Sequence, residues 1–159
     1  MSMTDNQPSV IDEGEFTVRR TIHIAAPIEK VWSAVTLPEH ISRWFGQTVL
    51  DGEGPGARGT ITWPERDSVP LQVEAIDAPT MVAYRWNNDD ASGTVPGQID
   101  MERSTVFTFT LEATAGGTRL TVVESGFDRT SDPSANLESH RQGWNAELDK
   151  LVSLLEGGA

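Results

Sequence analysis

Three histidines, five tryptophans, 24 acidic against 12 basic residues and no cysteine set the chemistry open to this chain. Without cysteine there is no disulfide, thiolate nucleophile, Cys-ligated zinc or iron–sulfur cluster. His23, His40 and His140 stand far apart, with neither H-x-x-x-H nor H-E-x-x-H spacing. Zinc needs three or four convergent ligands, so no metal and no cofactor are expected. His23 falls on the polar face of a strand pattern and His40 in an exposed helical turn. His140 differs, because it lies one helical turn before Trp144 on an apolar stripe. There it is either a core or rim histidine bonded to a neighbour, or a polar anchor or acid–base group inside a cavity. As an acid–base group it would work with Glu124 or Arg141, which makes His140, Glu124 and Arg141 the catalytic candidates.

Other patterns that could carry chemistry do not hold up. Gly54-Pro55-Gly56-Ala57-Arg58-Gly59 satisfies G-x-G-x-x-G. A dinucleotide site needs a helix to open after it, whereas Thr60-Ile61-Thr62-Trp63 continues as a strand. Asp89, Asp90, Asp128 and Asp132 lack calcium-loop spacing, and no G-x-S-x-G nucleophile elbow is present. The formal charge of −12 repels phosphates, so nucleic acid and anionic membranes are poor partners. No apolar run reaches the roughly 20 residues that span a bilayer. The N-terminus has neither a basic start nor an apolar stretch, so a cytoplasmic protein with no membrane insertion is expected. Of the tryptophans, Trp63, Trp86 and Trp144 fall on inward positions, where they could be core or ligand wall.

The elements that must position these residues follow from periodicity. Residues 1–14 are polar and acidic and read as a flexible tail, leaving 15–159 as a single domain. Phe16, Val18, Ile22 and Ile24 share one face of a strand on which Arg20 is the polar exception. Ile28, Val31, Trp32 and Val35 then give a short helix, and residues 38–44 a second. Strands are predicted over 47–51, 58–63, 69–77, 81–87, 102–113 and 119–127, with a polar loop over 88–100 and a Gly116-Gly117 hairpin. Residues 132–156 form one long helix with Leu137, Trp144, Leu148, Leu151, Val152 and Leu155 on one stripe. The layout is α+β, with a seven-stranded antiparallel sheet and two short helices after the first strand.

This order resembles the helix-grip (START-like) fold of the START/birch-pollen-allergen, or SRPBCC, superfamily. Ile24-Ala25-Ala26-Pro27-Ile28-Glu29-Lys30-Val31-Trp32, Leu37-Pro38-Glu39-His40 and Arg43-Trp44-Phe45-Gly46 look like the opening of the branch named for activators of the heat-shock chaperone ATPase. Gly117-Thr118-Arg119-Leu120-Thr121-Val122-Val123-Glu124-Ser125-Gly126-Phe127, then Gly143-Trp144 and the spaced leucines, are similar to its ending. The resemblance implies a sheet wrapped around the C-terminal helix, and a cavity between them for a small hydrophobic or amphipathic molecule. Cyclase/aromatase or hydrolase enzymes of the polyketide-cyclase kind, and a chaperone co-factor acting by surface contact, are the alternatives. The oligomeric state stays open, a homodimer included.

In that fold the first and last strands are antiparallel neighbours. Pairing Ile24 with Leu120 and Ile22 with Val122 sets Arg20 opposite Glu124 as an internal ion pair. A long helix cannot lie flat on a twisted sheet. Its C-terminal leucines should close the core, while the stretch around His140 and Trp144 stands off. Phe107, Phe109 and Trp86 are expected on the sheet side of that chamber, with Trp63 and Phe45 near its mouth. Leu137, Leu148, Glu124, His140, Arg141 and Trp144 complete the expected lining.

Overall fold

Alternating apolar residues make most of the sheet. The computed structural model describes residues 6–157. Val10–Asp12 (β1), Thr17–Ile24 (β2), Gln47–Asp51 (β3), Arg58–Thr62 (β4), Val69–Asp77 (β5), Met81–Trp86 (β6), Thr105–Thr114 (β7) and Gly117–Ser125 (β8) form one antiparallel sheet. Its order is β1-β2-β8-β7-β6-β5-β4-β3. On β7, Phe107, Phe109 and Leu111 turn inward, and on β8 Leu120, Val122 and Glu124 do the same. The β7–β8 hairpin turns at Gly117, whose φ is +148°; a Cβ there would stand 2.1 Å from the Ile24 carbonyl oxygen.

Two short helices, Ile28–Thr36 (α1) and Pro38–Ile41 (α2), follow β2, and Pro38 opens the second where its missing N–H costs nothing. The long helix Pro133–Gly157 (α3) buries Leu137, His140, Trp144, Leu148, Leu151, Val152 and Leu155 against the inner face. No helix among the described residues is long and apolar enough to cross a membrane. The α+β helix-grip architecture expected from the sequence is present, with two corrections.

The sheet has eight strands, not seven, because the presumed tail contributes β1. Val10, Ile11 and Asp12 pair with Arg19, Val18 and Thr17. Apolar patterning gives no sign of this strand, since Val10 is exposed and Ile11 alone packs against the core; polar bonds add to that hold. The Asn6 side chain bonds both backbone groups of His23, and the Ser9 N–H donates to Asn145 Oδ1 at 2.7 Å. Residues 1–5 of the expected tail lie outside the described residues.

The β2–β8 register is also shifted by two residues. Ile22 faces Leu120, Arg20 faces Val122 and Val18 faces Glu124. The slip keeps every side chain on its expected face, because the strand period is two. It is set where β8 begins: buried Thr118 sits opposite Ile24 and its hydroxyl donates to the Ala26 carbonyl at 2.8 Å. Arg20 therefore does not pair with Glu124. Its guanidinium donates to the carbonyls of Gln7, Trp144 and Asn145 and to Asp149 Oδ1 at 2.8 Å, joining β1's approach, β2 and α3.

Candidate functional site

Glu124 is the last inward residue of β8, and its side chain is fully buried. A buried carboxylate is tolerable only when donors surround it, and four do. Oε1 accepts from His140 Nδ1 at 2.8 Å and the Trp144 indole at 2.9 Å. Oε2 accepts from the Trp86 indole at 2.8 Å and the Thr105 hydroxyl at 2.6 Å. Three elements, β6, β7 and α3, thus converge on one side chain of β8.

The geometry fixes the charge of His140. Its Nε2 lies 2.8 Å from the Asn88 carbonyl, which can only accept, so Nε2 carries a proton. Its Nδ1 faces a carboxylate already surrounded by donors, so Nδ1 carries one too. Burial alone would push His140 down, but the negative charge and hydrogen bond of Glu124, helped by Asp90, raise it from 6.5 to about 9. Burial would raise Glu124, and the imidazolium with the surrounding donors more than reverses this, holding it below its ordinary value. Both nitrogens of His140 are committed to holding loop and sheet to the helix.

Residues 88–100 loop over this pair. Asp89 accepts from the Ser131 N–H and hydroxyl, each at 2.7 Å, and from the Asn136 amide at 2.8 Å. The Ala91 N–H in turn donates to Asn136 Oδ1. Asp90, in the short 3-10 turn Asp90–Ser92, accepts from Ser139 at 2.6 Å and pairs with Arg66 at 3.1 Å. The start of the loop is thereby tied to the first two turns of α3.

Between this loop, the β4–β5 connection and the middle of α3 lies a cavity of about 470 Å³. Phe45, Trp63, Trp86, Trp144 and His140 contribute to its wall. The indole N–H of Trp63 is buried with no hydrogen-bond partner among the described residues. Gly143, in mid-helix on this wall, has no atom within 4 Å of where its Cβ would stand, apart from its chain neighbours and the adjoining helix backbone. A glycine inside a helix costs about 1 kcal/mol relative to alanine, and here it keeps a patch of cavity open.

The remaining expected wall residues lie elsewhere. Phe107 and Phe109 pack in the core with Trp44 and Tyr84, where the gap left is about 10 Å³. Trp86 against Phe107 at 4.5 Å and Phe45 against Trp144 at 5.4 Å close the space between sheet and helix. Leu137 and Leu148 are buried in that core. Glu124 sits behind His140, and Arg141 turns to solvent and pairs with Glu138. The chamber therefore opens at the flank of α3 rather than beneath it. Sequence reasoning missed the polar half of the lining: Glu65, Asp67, Asn88, Asp89, Asp90, Ser139 and Glu147. One signal was present, since Ser139, Gly143 and Glu147 repeat every four residues beside His140, Trp144 and Leu148.

The sequence pattern of the family described as Activator of Hsp90 ATPase homolog 1-like protein matches residues 25–156. The chain belongs to this family. Like other SRPBCC proteins of its branch it has a ligand-binding kind of fold. Among solved structures, protein MLL2253 from Mesorhizobium loti is similar at 28% identity and a TM-score of 0.72, over 90% of this chain and 98% of that one. DynU16, a protein of the dynemicin biosynthetic locus, is similar at 26% identity and a TM-score of 0.71, over 89% of this chain and 48% of DynU16. CalU16 from Micromonospora echinospora shares the fold, at 21% identity and a TM-score of 0.67, over 90% of this chain and 76% of CalU16. A search of curated proteins gives no match. For this member of the Hsp90-activator-like family, the candidate site is a cavity at the flank of α3 with the Glu124–His140 pair behind it.

Proposed function

We propose that this protein binds a small amphipathic molecule with a flat apolar body, held in the cavity between residues 88–95, the β4–β5 connection and α3. The observation that carries the reading is the wall itself: three tryptophans and a phenylalanine beside a mid-helix glycine that leaves space for a guest. The volume of about 470 Å³ falls within the roughly 300–1,000 Å³ usual for small-molecule sites. Similarity to DynU16, from a locus that builds a natural product, supports a natural-product-like guest. The Glu124–His140 pair acts here as a positioning device, since its carboxylate orients the indoles of Trp86 and Trp144 at the wall.

The test is a tryptophan-emission titration with fatty acids, flavonoids and aromatic polyketides, on the natural chain and on Gly143→Leu. The leucine should project into the cavity and abolish saturable binding. It should keep or raise the melting temperature, because it replaces a helical glycine. Binding that survives Gly143→Leu unchanged, or no saturable response across the panel, overturns the proposal.

A further inference from the structure

The charge around the cavity is unbalanced. Glu65, Asp67, Asp89, Asp90 and Glu147 line it against Arg66 and His140. Each of these two cations already has a carboxylate. Arg66 pairs with Asp90 at 3.1 Å, and His140 with Glu124 at 2.8 Å and Asp90 at 3.5 Å. Glu147 is answered by Lys150 at 2.9 Å. Asp89 has only neutral donors, from Ser131, Asn136 and Ser92. Glu65 and Asp67 are exposed and make no ion pair among the described residues. Three carboxylates thus border the cavity without a cation, and no cation borders it without a carboxylate.

The apolar wall favours the same sign. The face of a tryptophan ring attracts a cation, and Trp63, Trp86 and Trp144 all reach this cavity. The free Trp63 indole N–H adds a donor suited to a neutral hydroxyl or carbonyl. An anionic guest would meet the three carboxylates and find no unpaired positive group to offset them.

We propose that the cavity selects a cationic ligand: a planar, polycyclic body bearing an ammonium group, with the ring against the tryptophans and the charge toward Glu65, Asp67 and Asp89. This rests on the reading of the cavity as a ligand site and narrows it, because it sets fatty acids and other carboxylates aside.

Three anthracene probes of one shape separate the two claims: 9-anthracenylmethylamine, 9-anthracenemethanol and 9-anthracenecarboxylate. Each is titrated against the full chain by fluorescence anisotropy at low and high salt. The amine should bind about tenfold tighter than the alcohol at low salt, with the carboxylate weakest, and added salt should compress the series. A Glu65→Gln/Asp67→Asn double variant should lose at least about half of that tenfold preference for the amine over the alcohol on a logarithmic scale. Equal affinity for amine and alcohol, or a preference for the carboxylate, overturns charge selection while the binding site stands. A preference untouched in the double variant overturns its assignment to this rim. No saturable binding of any probe overturns both claims.

Discussion

Glu124→Gln isolates the work of the buried pair. The amide has nearly the shape of the carboxylate but only one acceptor atom, where His140, Trp144, Trp86 and Thr105 now converge on two oxygens. Thr105 and a neutral His140 can each turn to accept. Neither indole can, so whichever way the amide lies, the N–H of Trp86 or Trp144 faces another donor. The rise of His140 from 6.5 to about 9 is what remains after burial opposes the charge and Glu124, with Asp90 and the Asn88 carbonyl, more than offsets it. Breaking a buried pair from one side costs about 3–5 kcal/mol. A domain holds roughly 5–15 kcal/mol in total, so the variant should fold and be measurable by urea unfolding. The pH dependence follows from the same shifts. Folded His140 keeps its proton up to about 9 while the unfolded residue releases it near 6.5, so stability from this group is full below 6.5 and falls as pH rises toward 9. Glu124, held below its ordinary 4.5, contributes fully above that value and loses its contribution as pH falls. The variant should lack the alkaline decline, and NMR should show His140 neutral at pH 7. A loss under about 1 kcal/mol, or a His140 in the natural chain that titrates at or below its ordinary 6.5, would contradict a charged pair at this position.

Arg20→Met should cost roughly 2–4 kcal/mol, because a buried guanidinium with four acceptors is replaced by a side chain that bonds none. Hydrogen exchange should show β1 losing protection before the rest of the sheet. A chain starting at Glu15 should melt about 5–10 °C lower, the equivalent of some 2–3 kcal/mol in a domain this size, since it loses β1 and the bonds from Asn6 to His23 and from Ser9 to Asn145; an unchanged melting point would mean that β1 is not stably docked. Gly143→Ala should raise stability by about 0.5–1 kcal/mol, as its Cβ meets open space, and a loss by chemical denaturation would show that the helix is strained there.

The parts of the fold legible in the sequence are those that bury apolar surface. The alternation of Phe107, Phe109 and Leu111 and the stripe from Leu137 to Leu155 gave β7 and α3 to within a few residues. β1 was invisible, because main-chain bonds and the polar side chains of Asn6, Arg20 and Asn145 hold it, and none of these leaves a period. The β2–β8 register escaped for a related reason: a slip of two residues leaves the apolar pattern unchanged, and the close fit of Gly117 and Thr118 on the end of β2 decides it. At the site, the residues on α3 and the tryptophans could be named from their stripe. The polar wall could not, since residues 88–95 and Glu65 to Asp67 reach the cavity by tertiary folding alone.

The five indole N–H signals map the central claim directly, by ¹⁵N NMR during titration with 9-anthracenemethanol. Trp63, with its unbonded N–H, should move most, followed by Trp86 and Trp144 at the same wall. Trp44, buried in the core with its N–H on the Ala34 carbonyl, should stay in place. Shifts centred on Trp44, or none at Trp63, would contradict a ligand cavity at the flank of α3.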